Sequence, residues 1–226
     1  MSDPNNEFVV SYLRLRQMIG WIGLLMPISV RVIAYLVQHI ASTESISAYY
    51  YTGTRDIFVS TLVLVGILLA CYRTPAWYDS LFAIVAGAAA IGIALFPMEP
   101  QFAKELIAKY PLVGQPGCYT IRGFLGFHFI FVTTFFALAF ILVFFRFPAF
   151  TPVLPTAQKI KRNKIYKICG IVMLVAFIAI GILAATRDGQ SVFWPETVAV
   201  IAFGIAWLVK GQTVLKDPAP AMSGAQ

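Results

Sequence analysis

Six long apolar runs, separated by short polar segments, constrain this chain more than any other feature. The runs cover residues 17–37, 57–72, 81–98, 124–145, 168–185 and 198–209. About 20 apolar residues are the length that crosses the hydrocarbon core of a bilayer as a helix. An outer-membrane barrel would instead show segments of about 10 residues with alternating hydrophobicity. The runs therefore predict an all-α integral membrane protein, a bundle of six transmembrane helices.

The composition supports this class, because 59% of the 226 residues are hydrophobic and only 12% are charged. Soluble domains carry about 25% charged residues. We expect a cytoplasmic N-terminal segment over residues 1–16, the transmembrane domain over 17–210 and a flexible cytoplasmic tail over 211–226. The first apolar run exceeds the ~7–15 residues of a signal-peptide core, so it is predicted to remain as a helix.

The distribution of basic residues predicts the orientation. If the N-terminus is cytoplasmic, eleven of the seventeen Lys and Arg residues fall on the inside and five on the outside, with Arg31 inside the first run. The positive-inside rule then places both termini in the cytoplasm. Topology alone accounts for the six basic residues between Arg146 and Lys167, although such a segment also attracts anionic headgroups. No nucleic-acid motif accompanies the charge, so no nucleic-acid partner is predicted.

The first helix carries a polar stripe, in which Pro27, Arg31, Tyr35 and Gln38 share one face. A charge inside the bilayer costs about 2.5–3.5 kcal/mol on insertion scales, so we expect Arg31 to face the bundle and meet a carboxylate or carbonyl groups. Asp56 and Glu99 are the acids predicted to lie within its reach. Two roles are therefore considered for Arg31: a structural ion pair that closes the bundle, and a contact with a ligand.

The most polar stretch between two apolar runs is Ser45 to Asp56, which reads Ser-Ile-Ser-Ala-Tyr-Tyr-Tyr-Thr-Gly-Thr-Arg-Asp. It leads through Ile57 and Phe58 into a helix that ends Ala-Cys-Tyr-Arg at Arg73. This pattern resembles a group of uncharacterised six-helix bacterial membrane proteins. More distantly, it is similar to the family of damage-regulated autophagy modulators and factors for lipid remodelling of GPI anchors. The resemblance implies a lipid-associated role and a bacterial inner (plasma) membrane. Members of the family commonly have an acidic residue after Ile-Ser, whereas this chain has Ala48 there, so no carboxylate role is carried over to that position.

The predicted topology brings one set of polar residues to the outer half of the bundle. His128 lies near the outer start of the fourth helix, and Glu99 and Arg122 flank the second outer segment. The candidate ligand-binding residues are Arg31, Tyr35, Ser47, Tyr50, Tyr51, Arg55, Asp56, Glu99, Arg122 and His128. Tyrosines at the headgroup level, arginines for an anionic group and apolar helices for chains suit a lipid or other amphiphile.

Two other functions compete with this binding role. A small secondary transporter or proton-coupled carrier would use His128 and the Arg31 pair. An intramembrane lipid hydrolase would use His128 as base, Asp56 to orient it and a loop serine as nucleophile. We rank binding or a structural membrane role first, transport second and hydrolysis third, so a non-enzymatic role is favoured and no catalytic residue is assigned.

No cofactor or metal is predicted. The chain has only two histidines, so it cannot build a zinc site from three of them. The expected partners are membrane lipids and a small amphiphilic ligand, and an oligomer is compatible with the pattern. In the third helix, the pairs Ala83/Gly87 and Ala88/Gly92 are predicted to let another helix approach closely. Residues 101–110 are predicted to form an amphipathic interfacial helix.

Overall fold

The computed structural model describes residues 4–98, 108, 126–149, 155–186 and 191–216. Within these residues the chain is helical and contains no β-strand. The helices are α1 (Pro4–Gln38), α2 (Arg55–Ala70), α3 (Trp77–Leu95), α4 (Phe127–Ala149), α5 (Ala157–Thr186) and α6 (Phe193–Lys210). A short 3-10 helix, Ile46–Tyr51, lies between α1 and α2, and α4 includes a π-helical turn at Leu142–Arg146. The prediction of an all-α protein is confirmed over this part of the chain.

Five of these helices are long and apolar enough to cross a membrane, namely α1, α3, α4, α5 and α6. The second predicted run forms α2, which has only 16 residues. At 1.5 Å per residue such a helix is about 24 Å long, which is shorter than the ~30 Å hydrocarbon core. The described residues therefore contain five candidate spans where the sequence predicts six.

Helix α5 starts at Ala157, well before the predicted start at residue 168. The backbone N–H of Lys159 donates to the Thr156 hydroxyl at 3.1 Å, which satisfies one of the free donors at the helix start. Lys and Arg are good helix formers. The basic segment therefore continues the helix beyond its apolar part, where a loop was expected.

The six helices form a ring in sequence order. Each helix packs against its neighbours in the chain, and α6 packs against α1 to close the ring. At one end, the side chain of Gln17 donates to the Gly211 carbonyl at 2.8 Å, so the first half of α1 meets the end of α6. We call this the basic end, because the basic start of α5 also lies there. The opposite end, which contains the 3-10 helix, is called the tyrosine end.

Glycines allow the closest helix contacts. A Cβ on Gly66 of α2 would lie 2.6 Å from the Gly87 carbonyl oxygen of α3, and one on Gly87 would collide with the Gly66 carbonyl. Gly20 of α1 and Gly204 of α6 make a similar contact. The predicted packing role of Gly87 is thus confirmed.

The second predicted small-residue pair does not form one interface. A Cβ on Gly92 would meet the Phe131 ring of α4, whereas Ala88 is exposed. The reason is geometric: α3 packs against α2 on one side and α4 on the other, so only residues on those two faces are covered.

The basic end is closed by aromatic rings and an ion pair. Tyr72 stacks on Tyr12 with ring centroids 5.8 Å apart and meets Trp207 edge-on at 4.9 Å. Burial raises the pKa of the Tyr72 hydroxyl well above its usual value, so this side chain stays uncharged. Asp79, which is 2% exposed, pairs with Arg146. Asp79, the one acid of α3, therefore forms a structural ion pair.

Candidate functional site

The 3-10 helix Ile46–Tyr51 forms the floor of the tyrosine end, and all six of its residues are buried. Ser45 caps this helix, because its hydroxyl oxygen accepts the Ser47 N–H at 3.0 Å. The same hydroxyl donates to the Glu196 carboxylate at 2.8 Å. The Ile46 N–H also donates to that carboxylate, at 2.6 Å. Glu196 in the first turn of α6 therefore anchors the start of the segment.

A second attachment joins the preceding loop to α6. The Glu44 carbonyl accepts the Val192 and Phe193 N–H groups at 2.7 and 3.0 Å. These two donors belong to the start of a helix, where backbone N–H groups have no intrahelical partner. The loop thereby satisfies them and is fixed in place at the same time.

Ser47 and His128 meet at this end. His128 Nε2 lies 3.1 Å from the Ser47 hydroxyl oxygen, and His128 Nδ1 lies 2.8 Å from the Phe96 carbonyl oxygen. Both side chains are largely buried, with 8% of Ser47 and 7% of His128 exposed. The contact joins the 3-10 helix, the end of α3 and the first turn of α4.

The Phe96 contact determines the proton positions on the ring. A carbonyl oxygen only accepts, so Nδ1 carries the proton and donates it to Phe96. In the neutral ring Nε2 then holds a lone pair, and it accepts the hydroxyl proton of Ser47. Ser47 is thus a donor to a correctly oriented imidazole.

The start of α4 sets the position of His128. Gly126 has a φ of 97°, a left-handed conformation that favours glycine. It is the residue before the helix, so His128 falls in the first turn and faces the end of α3. Phe96, at the end of α3, also packs edge-on against Phe127 with centroids 5.4 Å apart.

The three tyrosines have different partners. The Arg55 guanidinium donates to the Tyr50 hydroxyl at 2.6 Å and lies over its ring at 4.4 Å. The Tyr51 hydroxyl donates to the Met98 carbonyl. Burial raises the pKa of the Tyr49 hydroxyl, against the opposing effects of Thr43 and Arg31. All three rings therefore support the 3-10 helix, and Tyr49 remains protonated at physiological pH.

Arg31 lies at the same end, and no carboxylate in the described part of the chain pairs with it. Its guanidinium carbon is 5.1 Å from the Phe193 ring centroid and 5.2 Å from that of Trp194. Among the described residues it forms no ion pair, so the expected partner Asp56 does not meet it. Asp56 is exposed at the start of α2.

The structure thus brings together part of the predicted set. Ser47 contacts His128, and Tyr50 contacts Arg55. Tyr35 was predicted to face the bundle but is 56% exposed, because α1 turns that side away from its two neighbours. Asp56 does not orient His128, since the Phe96 carbonyl holds that position. Glu99, Arg122 and all of the predicted helix over 101–110 except residue 108 lie outside the described residues.

Three contributors were missed from the sequence. Ser45 and Glu196 are 151 positions apart, so no local spacing pointed to their contact. The Ser-x-Ser spacing of Ser45 and Ser47 is a capping pattern that would have indicated the serine's local role. Phe96 contributes its backbone carbonyl, which accepts from His128. Every residue has such a carbonyl, so the residue type at position 96 gave no sign of this role.

The chemistry available at this site is proton transfer between a hydroxyl and an imidazole. No group of three His, Cys, Asp or Glu residues that could hold a metal ion occurs in the part of the chain that the structure describes. No family model, curated protein sequence or solved structure matches the chain. The resemblance to lipid-associated membrane families is therefore an expectation from the sequence pattern alone.

Proposed function

We propose that the chain is a six-span protein of the bacterial inner membrane, with both termini cytoplasmic, that binds a lipid or other amphiphile at its tyrosine end. The observation that carries the binding role is Arg31, a cation in a membrane helix that stacks on two aromatic rings and meets no carboxylate among the described residues. An anionic headgroup is the ligand chemistry that would complete its contacts.

The energetics favour an anion beside Arg31. It lies seven residues before the end of α1 at Gln38, which is about 10 Å along the helix. A charge at the centre of a membrane helix costs about 2.5–3.5 kcal/mol, and less nearer the helix end, whereas cation–π contacts offset about 0.5–2 kcal/mol. The five N–H donors of a guanidinium still need acceptors, and a phosphate or carboxylate group provides them in bidentate geometry.

Aromatic side chains around Arg31 match the level of lipid headgroups. Tyr35 is 56% exposed and Trp194 is 61% exposed, one on α1 and one on α6. Exposed tyrosine and tryptophan are typical of the membrane interface, where an apolar ring and a polar group are both satisfied. Arg31 therefore lies close to the depth at which a headgroup would be bound.

Lipid retention tests this proposal. Purified wild type and the Arg31→Ala variant would be compared by native mass spectrometry and by thermal stability with added phosphatidylglycerol, phosphatidylcholine or glycerol phosphate. We expect phosphatidylglycerol to raise the melting temperature of the wild type and Arg31→Ala to lose that increase. Phosphatidylcholine should act weakly, and glycerol phosphate should fail because it lacks chains.

Arg73→Ala is the matched control, because Arg73 is an exposed arginine at the basic end. It should respond to phosphatidylglycerol like the wild type. Equal lipid stabilisation of wild type and Arg31→Ala would overturn the binding proposal. Arg31→Lys should restore only part of the effect, since an ammonium group cannot form the bidentate contact.

A further inference from the structure

We propose that Ser47 and His128 are a nucleophile and its general base, and that the tyrosine end transfers the acyl group of a carboxylic ester in a bound amphiphile. This inference rests on the proposed binding function for its substrate class, but it is carried by a different observation, the contact between Ser47 and His128.

The geometry is that of an activated serine. The Ser47 hydroxyl oxygen lies 3.1 Å from His128 Nε2, at the upper end of the ~2.6–3.2 Å range for a nucleophile and its base. The bond from Nδ1 to Phe96 leaves Nε2 as the acceptor. His128 is therefore in the one neutral tautomer that can remove the Ser47 proton.

The backbone of Ser47 is held by a separate network. Its N–H donates to Ser45, whose hydroxyl donates to Glu196. The hydroxyl of Ser47 takes no part in that network, and His128 is its hydrogen-bond partner. The Phe96 carbonyl and the Ser47 hydroxyl together satisfy both ring nitrogens of His128, and this arrangement directs the Ser47 proton at Nε2.

The membrane side of the site suits an amphiphilic ester. Phe127, which precedes His128 in the first turn of α4 and packs against Phe96, is 37% exposed on the apolar surface of the helix. Hydrocarbon chains lying against that surface would bring an ester carbonyl to the headgroup level, where His128 begins the helix. The substrate class is therefore a carboxylic ester with one or two acyl chains.

The reaction is balanced with water as the only co-reactant. Ser47 Oγ attacks the ester carbonyl carbon while its proton passes to His128 Nε2. The bond from that carbon to the alkoxy oxygen then breaks, and the alcohol leaves with the proton from Nε2, which gives an acyl-serine. Water attacks the acyl-serine, giving its proton to Nε2, and the Ser47 oxygen leaves with that proton as the acid is released.

The orienting group limits the expected rate. In a Ser-His-Asp triad a carboxylate orients the histidine and stabilises the imidazolium, whereas Phe96 offers a neutral carbonyl. We therefore expect slow turnover, for which covalent labelling is the more sensitive measurement.

The experiment treats the full chain in detergent with an alkyl fluorophosphonate and maps the adduct by peptide mass spectrometry. The Ser47 oxygen would displace fluoride and remain bound to phosphorus. We expect labelling at Ser47 in the wild type and its loss in Ser47→Ala. In His128→Asn the rate should fall about 100-fold or more, although the Asn amide can still donate to Phe96. Hydrolysis of a short-chain nitrophenyl ester should change in parallel.

Two controls separate chemistry from folding. Ser60→Ala removes an exposed serine of α2, and His39→Asn removes the other histidine. Both should be labelled like the wild type. If Ser47 is unlabelled in well-folded wild type, or labelled equally in His128→Asn, the inference is wrong.

The outcomes for the two proposals are distinct. Loss of lipid stabilisation in Arg31→Ala together with an unlabelled Ser47 would leave binding intact and overturn the acyl transfer. If labelling and nitrophenyl ester turnover depend on His128, but phosphatidylglycerol stabilises wild type and Arg31→Ala equally, Ser47 is supported as a nucleophile and the binding proposal is overturned.

Discussion

At the scale of single residues, two acids show how context decides the role of a charge. Glu196 and Asp56 both lie in the first turn of a helix. Glu196 accepts bonds from Ser45 and Ile46, whereas Asp56 is exposed. Either acid gains about 0.3–1 kcal/mol from the helix dipole. We therefore expect any further stabilisation of the fold by Glu196 to come from its bonds to Ser45 and Ile46.

We expect Glu196→Gln to lower the free energy of unfolding by about 1–3 kcal/mol, because its neutral amide oxygen is a weaker acceptor for the Ser45 hydroxyl and the Ile46 N–H than the carboxylate. The matched Asp56→Asn variant should change it by less than about 0.5 kcal/mol. Denaturant or thermal unfolding in detergent measures both. Equal effects of the two variants would show that Glu196 does not anchor the 3-10 helix.

The same residues show how far sequence reasoning extends. His128 and Ser47 were both candidates, because the order and length of the apolar runs place them at one end of the bundle. Their contact required the bend after α3 and the start of α4 at Gly126, which depend on backbone conformation. Arg31 was singled out as a cation within a membrane helix that would meet a carboxylate or carbonyl groups, whereas its described partners are the aromatic rings Phe193 and Trp194 of α6, more than 150 positions along the chain.

At the scale of elements, the interface between α2 and α3 depends on two glycines that bring the backbones together. A methyl group at Gly87 would meet the Gly66 carbonyl oxygen, which is backbone and cannot rotate away. We expect Gly87→Ala to destabilise the protein by about 1–3 kcal/mol through overpacking. Thermal unfolding in one detergent is the measurement.

Gly181 of α5 provides the control for this prediction. A Cβ there would meet nothing within 4 Å, and alanine is favoured over glycine in a helix by about 0.5–1 kcal/mol. Gly181→Ala should therefore be neutral or stabilising. A Gly87→Ala variant as stable as Gly181→Ala would mean that α2 and α3 are not in close contact.

Apolar runs predicted all six helices, because hydrophobic length is encoded locally. Their bounds were less predictable. The basic start of α5 continues as helix since nothing in residues 157–167 breaks it, and charge alone does not end a helix. The closing of the ring by α1 and α6 could not be predicted, because it joins the two ends of the sequence.

At the scale of the whole molecule, the proposal of six spans requires α2 to cross the membrane despite its 16 residues. Its start bonds to the 3-10 helix through Arg55 and Tyr50. Just beyond its end, Tyr72 stacks on Tyr12 at the basic end. The segment thus reaches from one end of the ring to the other. A short helix is accommodated by local thinning of the bilayer, at a modest cost per ångström.

Six spans with a cytoplasmic start place Asp56 outside and Lys161 inside. We would replace the three native cysteines and introduce Asp56→Cys or Lys161→Cys, since both positions are exposed. A membrane-impermeant maleimide should label Asp56→Cys in intact spheroplasts and Lys161→Cys only after permeabilisation. If α2 does not cross, the ends of α1 and α3 change sides relative to one another and the ring in sequence order cannot form in a bilayer. Labelling of both cysteines from one side would therefore overturn the topology, and with it the placement of the tyrosine end at the outer surface.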